Sequence, residues 1–306
     1  MSYCTKPFIK WVGGKNQLLT KIDSVIPDEI NETEFTYIEP FVGGGAVLFW
    51  ILQTYPHIKK AVINDINTDL TNSYLTIKEN VEDLVLILDK WEKEYHSFSD
   101  SSDEKKEYYY AKRKLFNKRN SNRTTQTALF IFLNRTCFNG LYRVNRKNEF
   151  NVPIGSYKKP MICDEDNLRN VSKLLQKVII INGDFEQTLI YAENNTLFYF
   201  DPPYKPISKT SNFNSYAKDE FNDDEQIRLA KFCKKIDLAG YHWILSNSDV
   251  KGKNPNDHFF DDLYSQFDIK RVLARRNINS NPNRRGELTE LLITNFTYEE
   301  IMSIAQ

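Results

Sequence analysis

Short apolar runs alternate with amphipathic stretches along most of the chain. Residues 36–41, 61–66, 178–181, 197–200, 243–246 and 288–296 are rich in β-branched and aromatic side chains. Each run is bounded by Gly, Pro, Asn or Asp, the mark of strands buried in a sheet. Between several of them apolar positions recur at helical period, as in residues 224–236 with Ile227, Leu229, Ala230, Phe232 and Cys233. Strands separated by helices predict an α/β fold built on a mostly parallel sheet. Residues 70–175 interrupt this alternation. Leu84, Leu86, Ile87, Trp91 and Tyr95 mark a helical apolar stripe, and residues 128–133 form a second buried segment. Residues 134–160 then carry Gly140, Pro153, Gly155 and Pro160 among polar and basic side chains. The pattern predicts an insert within the sheet, helical at first and loop-like at its end.

Charge gives that insert a character. The 306 residues carry no net charge, yet residues 105–160 hold fourteen Lys or Arg against two acids, a local excess of +12. Residues 269–286 add six basic residues, among them Arg275, Arg276, Arg284 and Arg285. Two basic blocks in a neutral protein predict a polyanion on one face. With 41% hydrophobic and 27% charged residues the composition is that of a globular domain. No apolar run is long enough for a membrane span, and the N-terminal residues have no signal-peptide pattern. Cys4, Cys137, Cys163 and Cys233 are scattered, with no CxxC pair and no zinc-ligand spacing. They predict free thiols in a reducing cytoplasm, and no metal.

Two turns carry the chemistry. Glu39-Pro40-Phe41-Val42-Gly43-Gly44-Gly45 follows the first predicted strand. Glycines there let the backbone turn tightly and approach a ligand. Asp65, twenty residues beyond Gly45, ends the next strand, where an acid accepts hydrogen bonds from ribose hydroxyls. That spacing also suits a nicotinamide cofactor, but the loop lacks the third spaced glycine that goes with a pyrophosphate. The second turn is Asp201-Pro202-Pro203-Tyr204, directly after residues 197–200. Two prolines cannot sit in a central ladder, so they fix a rigid turn at the strand end, where ligands bind in open α/β sheets. Asp201 supplies an acceptor for an amino group and Tyr204 a face for stacking a base.

These pieces, with Lys10-Trp11-Val12-Gly13-Gly14-Lys15, Asn134-Arg135, Asn139-Gly140-Leu141, residues 149–153 and Tyr157-Lys158-Lys159-Pro160, make the chain resemble the Dam-type adenine-N6 DNA methyltransferases along nearly its whole length. The glycine turn precedes the recognition segment and the Asp-Pro-Pro-Tyr turn follows it, the α arrangement of amino-methyltransferases. The resemblance implies a Rossmann-like sheet binding S-adenosylmethionine (AdoMet), with a mainly helical target-recognition domain inserted in it. Residues 1–70 and 176–306 would be catalytic and 71–175 would recognise double-stranded DNA. It implies a cofactor site of Trp11, Lys15, Glu39, Phe41, Gly43, Gly45, Asp65, Asp184 and Asp201, with Lys15 toward the cofactor's carboxylate and Asp184 toward its adenine. Asp201, Pro202 and Tyr204 would hold the target amine. Lys10, Phe138, Asn139, Leu141, Arg143, Pro153, Tyr157 and Lys158 would face DNA, with Arg143 reading guanine and Leu141 and Pro153 a thymine methyl. The site implied is GATC, and a restriction endonuclease acting on that site would be a partner.

The chain departs from relatives at two places: Phe138 stands where they carry Tyr, and Ser156 where they carry Arg. Both bear on the DNA site rather than on the chemistry. The nearest competing activity is cytosine-N4 methylation, disfavoured by Asp rather than Ser at position 201. A cytosine-C5 enzyme lacks its Pro-Cys dipeptide here. The glycine turn weakens the case for a nicotinamide oxidoreductase, and two intact motifs weaken that for a non-catalytic DNA-binding protein.

Overall fold

A computed structural model describes residues 5–15, 17–27, 30, 32–100, 102–204, 221–252, 254–275 and 287–296. Seven strands form one sheet: β1 (Phe35–Glu39), β2 (Ile58–Asp65), β3 (Val178–Asn182), β4 (Thr196–Phe200), β5 (His242–Ser248), β6 (Asp268–Arg275) and β7 (Glu287–Thr294). Their order is β3-β2-β1-β4-β5-β7-β6. The first five are parallel, and β7 runs antiparallel between β5 and β6. After β1 the chain winds outward through β2 and β3, then returns to place β4 on the other side of β1. The order therefore reverses between β1 and β4, and a crevice opens at their carboxyl ends.

β1 and β4 are buried along their whole length, so both faces of each read as apolar. Alternation then assigns faces. Tyr37, Ile63, Leu197, Tyr199 and Ile244 belong to one core cluster; Ile38, Val62, Phe198, Phe200 and Leu245 belong to the other.

Helices α1 (Leu19–Asp23), α2 (Ala46–Thr54), α3 (Thr68–Glu79), α4 (Val81–Ser97), α5 (Asp103–Lys118), α6 (Arg123–Thr136) and α7 (Glu165–Leu175) contribute to the first cluster. Helices α8 (Asp223–Leu238) and α9 (Phe259–Leu263) contribute to the second. Local signals start several of them. Asn67, Ser102, Asn122 and Asn222 each accept a first-turn amide, at 3.1, 3.2, 2.8 and 3.1 Å. The segment between β2 and β3 carries helices α3 to α7, and its buried residues join the same core as Tyr37 and Tyr199.

Three expectations change. Leu86 is 69% exposed, while Leu84, Leu88, Trp91 and Tyr95 line the buried side of α4. A helix advances a hundred degrees per residue, so positions 84 and 86 cannot share a face. The second basic block contains a strand, β6, in which Lys270 pairs with Asp268, and Arg271 with Asp249 and Asp261. Arg276, Arg284 and Arg285, like Cys4, lie outside the described residues. Finally, residue 41 leaves the first strand, which ends at Glu39. Cys137, Cys163 and Cys233 are free thiols. Among the described residues no helix is long and apolar enough to cross a membrane, and no group of three or more His, Cys, Asp or Glu could hold a metal ion.

Candidate active site

The glycine turn after β1 is clamped from three sides. Gly43 donates its amide to Asp65 Oδ2 at 3.1 Å, and its carbonyl accepts the Tyr74 hydroxyl at 2.9 Å. Asn64 Nδ2 reaches both the Pro40 and the Gly183 carbonyls, each at 3.0 Å, tying the turns after β1 and β3 together. Gly45 has a φ of +78°, and a Cβ there would lie 2.5 Å from the Tyr74 hydroxyl. A Cβ on Gly44 would lie 2.8 Å from Trp11 Cβ, so Trp11 lies against the turn. Phe41 packs on Phe185 at 5.3 Å and on Phe221 at 5.5 Å between ring centroids.

Asp65 ends β2 and also accepts the Asn67 amide at 2.9 Å. Burial pushes its carboxyl up to about 6, against the two backbone amides that lower it. Glu39 is 2% exposed and takes the Tyr37 hydroxyl at 2.8 Å. Burial raises it well above the carboxylate range, and Asp201 and Asp65 raise it further. Burial likewise raises Asp201, while Lys15 pulls it down.

Lys15, expected beside a carboxylate of the cofactor, meets one of the protein's own. Its Nζ lies 2.9 Å from Asp201 Oδ1, 3.1 Å from the Gly13 carbonyl and 4.2 Å from the Tyr204 ring centroid. Further groups hold the Asp-Pro-Pro-Tyr turn. Ser246 Oγ donates to Asp201 Oδ1 at 3.2 Å and lies 2.9 Å from the Tyr199 hydroxyl. Buried Gln226 donates to the Pro203 carbonyl at 3.1 Å and accepts from Asn247 at 3.1 Å. The Tyr204 hydroxyl donates to Glu290 Oε2 at 2.7 Å. Sequence reasoning missed Ser246, Asn247, Gln226 and Glu290. The one signal was position: polar residues at the end of a predicted strand, and one acid inside the apolar run 288–296.

Asp184 caps the turn after β3. Its carboxylate is gripped by Arg228 Nη1 and Nη2 at 3.0 and 2.6 Å, which holds it below the usual range. Trp11, Lys15, Glu39, Phe41, Gly43, Gly45, Asp65 and Asp201 thus gather at the carboxyl ends of β1, β2 and β4. Asp184 stands beside them just after β3 with its charge already paired.

The DNA-facing candidates form a second group, joined to the first through Lys10 and Trp11. Asn134 accepts the Lys10 amide and donates to the Lys10 and Gly140 carbonyls, at 2.8, 2.8 and 3.0 Å. A Cβ on Gly140 would collide with Lys10 Cδ at 2.3 Å. Lys10 Nζ sits 4.1 Å from the Tyr157 ring centroid. Phe138, 50% exposed, donates its amide to the Pro153 carbonyl at 2.9 Å, and Asn139 is held at φ +56°. Arg143 is exposed, its Nε bonded to Asn151 Oδ1 at 2.7 Å. Leu141 is half-buried, and Pro153 and Lys158 are exposed. Tyr142, between Leu141 and Arg143, stacks on Trp11 at 5.6 Å and donates to Asp69 at 2.7 Å.

The +12 excess is not one surface. Lys105 is buried on Asp100 and the Lys158 carbonyl, and Lys112 lies 3.7 Å from the Trp91 ring centroid, its amine pushed down to about 8 by burial. Arg113 binds the Val152 carbonyl, Arg119 binds Asp69, Arg123 binds Glu79 and Arg135 binds the Phe8 carbonyl. These cations hold helices and the loop after α6 together. Lys114, Lys118, Arg146, Lys147, Lys158 and Lys159 are exposed. Duplex affinity is therefore expected to fall steeply with salt, and replacing Lys114, Lys118, Lys158 and Lys159 by Gln should flatten the log–log slope by about 0.9 per lost phosphate contact. A titration of duplex binding between low and physiological salt measures it; an unchanged slope would make these lysines ordinary solvated surface.

A sheet of this order, with a glycine turn after β1 and an Asp-Pro-Pro-Tyr turn after β4, defines an α/β methyltransferase. The profile of the D12 class N6 adenine-specific DNA methyltransferases matches residues 11–278, and the chain belongs to that family. A protein of Methanocaldococcus jannaschii named "Type II methyltransferase M.MjaIII" is 50% identical over 295 residues, 95% of this chain and 99% of that one. "DNA adenine methylase" of Haemophilus influenzae is 36% identical over 292 residues, covering 94% and 92% of the two chains. "DNA adenine methylase" of Escherichia coli is 30% identical over 287 residues, covering 94% of each. The chain is an adenine-specific DNA methyltransferase. The family implies AdoMet as methyl donor, and the site fits such a ligand. Three carboxyl groups, Glu39, Asp65 and Asp201, are raised by burial with Lys15 as the cation paired among them. Burial disfavours ionising these acids; a sulfonium carrying an ammonium group beside them would favour their charged form, whereas a pyrophosphate would disfavour it further.

Proposed function

We propose that the enzyme methylates the N6 amine of adenine in the palindrome GATC, on a base turned out of the duplex. The observation that carries the chemistry is the Asp201–Tyr204 turn at the reversal point of the sheet, beside the clamped glycine turn. In this reading Trp11, Lys15, Asp65 and Asp184 hold AdoMet, which supplies a methyl group on a sulfonium leaving group. The amine lies inside the duplex until its base is flipped. Tyr204 then stacks on the base, and Asp201 with the Pro202 carbonyl accepts hydrogen bonds from the amine. That would aim the nitrogen lone pair at the methyl group that bound AdoMet would supply, and the surplus proton of the amine would pass to solvent. Positioning supplies most of the rate. Lys15 must give up its contact with the Tyr204 face or share it when the base arrives.

The GATC assignment rests on the Asn-Gly-Leu-x-Arg and Asn-Val-Pro pieces at Asn139 and Asn151. Arg143 Nε is committed to Asn151, so a guanine would be paired by the two terminal nitrogens, against O6 and N7. Leu141 and Pro153 suit a thymine methyl, and residues 71–175 serve as the recognition unit. Arg143→Ala is expected to lose about 1–3 kcal/mol of discrimination at one guanine, while non-specific binding changes little. The test maps every modified adenine after treating an unmethylated genome with wild type and variant. Modification confined to another sequence refutes GATC; full discrimination by the variant refutes the role of Arg143. A restriction endonuclease of the same site is a further partner in this reading, suggested by the words "Type II" in the name of the Methanocaldococcus relative.

A further inference from the structure

The mechanism leaves one polar contact at the reacting turn unexplained. Tyr204 follows two prolines, which fix the backbone before it but not the orientation of its ring. The ring is nonetheless held at its far end: the hydroxyl donates to Glu290 Oε2 at 2.7 Å. A hydroxyl–carboxylate bond of that length is charge-assisted and directional. Glu290 comes from β7, paired with Ser248 of β5 on one side and Val272 of β6 on the other. It is anchored by pairing on both sides, at the last pair of the β5–β7 ladder and inside the β6–β7 ladder, 86 residues from Tyr204 in sequence. Its neighbours along β7, Leu291, Leu292 and Ile293, are buried apolar side chains. An acid in that run has no role in the core.

The other members of the turn are held differently. Asp201 is held by Lys15 and Ser246, and Pro203 through its carbonyl by Gln226. None of these bonds is made to the phenol hydroxyl. We propose that Glu290 is a positioning residue for methyl transfer: its carboxylate fixes the Tyr204 ring in the plane on which the target base stacks. The assignment rests on the reading of Tyr204 as the stacking face. It gives β7 a part in the site: the antiparallel strand beside β5 carries the group that reaches across to the catalytic turn. A ring free to swing by even part of a stacking distance leaves the amine misaligned with the methyl donor, and the loss falls on turnover rather than on cofactor affinity.

The experiment is a double-mutant cycle on methyl transfer to adenine in duplex DNA, with AdoMet affinity measured in parallel. Glu290→Leu and Tyr204→Phe each remove the bond from one side. Each is expected to lower kcat by about ten- to a hundredfold with AdoMet affinity within about twofold. The double variant should be no slower than the worse single. Glu290→Gln keeps an acceptor and should recover most of the rate. If Glu290→Leu fails to fold, Tyr204→Phe still decides, because a wild-type kcat in that variant overturns the proposal. So do independent, multiplying effects of the two changes, or a loss in Glu290→Leu that Glu290→Gln does not recover. A wild-type protein that transfers no methyl to adenine is a different failure: it overturns the reading of the site itself, and this proposal with it.

Discussion

Asp201→Ala is expected to lower methyl transfer on the order of a thousandfold, the scale on which removing a single positioned polar group at a reacting centre costs turnover. The methyl side chain accepts no hydrogen bond, so in the proposed mechanism the amine would lose the group that turns its lone pair toward the methyl donor. The structure adds a second consequence. Lys15 is 5% exposed and 2.9 Å from Asp201. Removing the acid leaves a buried ammonium with, among the described residues, the Gly13 carbonyl and the Tyr204 ring for company, at a cost of about 3 kcal/mol in stability. Asp201→Asn separates the two effects. Its amide oxygen still accepts from Lys15 and from an amine, so it should melt close to wild type and turn over between wild type and Asp201→Ala. Labelled-methyl transfer to duplex DNA and a thermal melt measure both. An Asp201→Ala variant with near wild-type turnover would remove the acid from the mechanism.

Asp65→Ala is expected to weaken AdoMet binding about a hundredfold, the loss of two hydrogen bonds to a charged acceptor. Part of that loss is indirect. Asp65 also receives the Gly43 and Asn67 amides, so the variant loosens the glycine turn itself. The same residue sets a pH dependence. Its carboxyl sits at about 6 rather than at 3.8 because burial disfavours the charge. Only the ionised form accepts from a ribose hydroxyl with both oxygens. Cofactor affinity should therefore hold above neutral pH and fall as pH drops through about 6, by up to tenfold per unit. Stability of the cofactor-free protein carries the opposite sign at this group. A raised carboxyl stabilises the fold in its protonated form, an effect fully present below its ordinary value and lost as pH rises through about 6. Calorimetry of AdoMet binding from pH 8 to 5, on wild type and Asp65→Asn, checks it. The inflection near 6 should vanish in the variant; if it persists there, another group sets it.

The parts whose physics is local are legible along the chain. A Pro-Pro pair after an apolar run fixes a rigid turn, three glycines fix a tight one, and an acid at the end of the next strand faces the same crevice. All six apolar runs are strands, with ends within three residues of those read from the pattern. Asn67, Ser102, Asn122 and Asn222 start helices wherever the fold puts them. Tertiary structure decided what those signals leave open, which is pairing between distant side chains. It split the +12 stretch into cations that hold helices and loop together and lysines left on the surface. A positive side chain is written identically in sequence whether it faces Asp69, as Arg119 does, or water. It placed Lys15 on Asp201, brought Glu290 to Tyr204, and made a strand of 268–275, an edge of the sheet whose mixed charged and apolar residues give no alternating signal. Turn chemistry is carried by adjacent residues and can be read one residue after another. The strand order β3-β2-β1-β4-β5-β7-β6 sets which distant side chains meet, and no short stretch of the chain contains it.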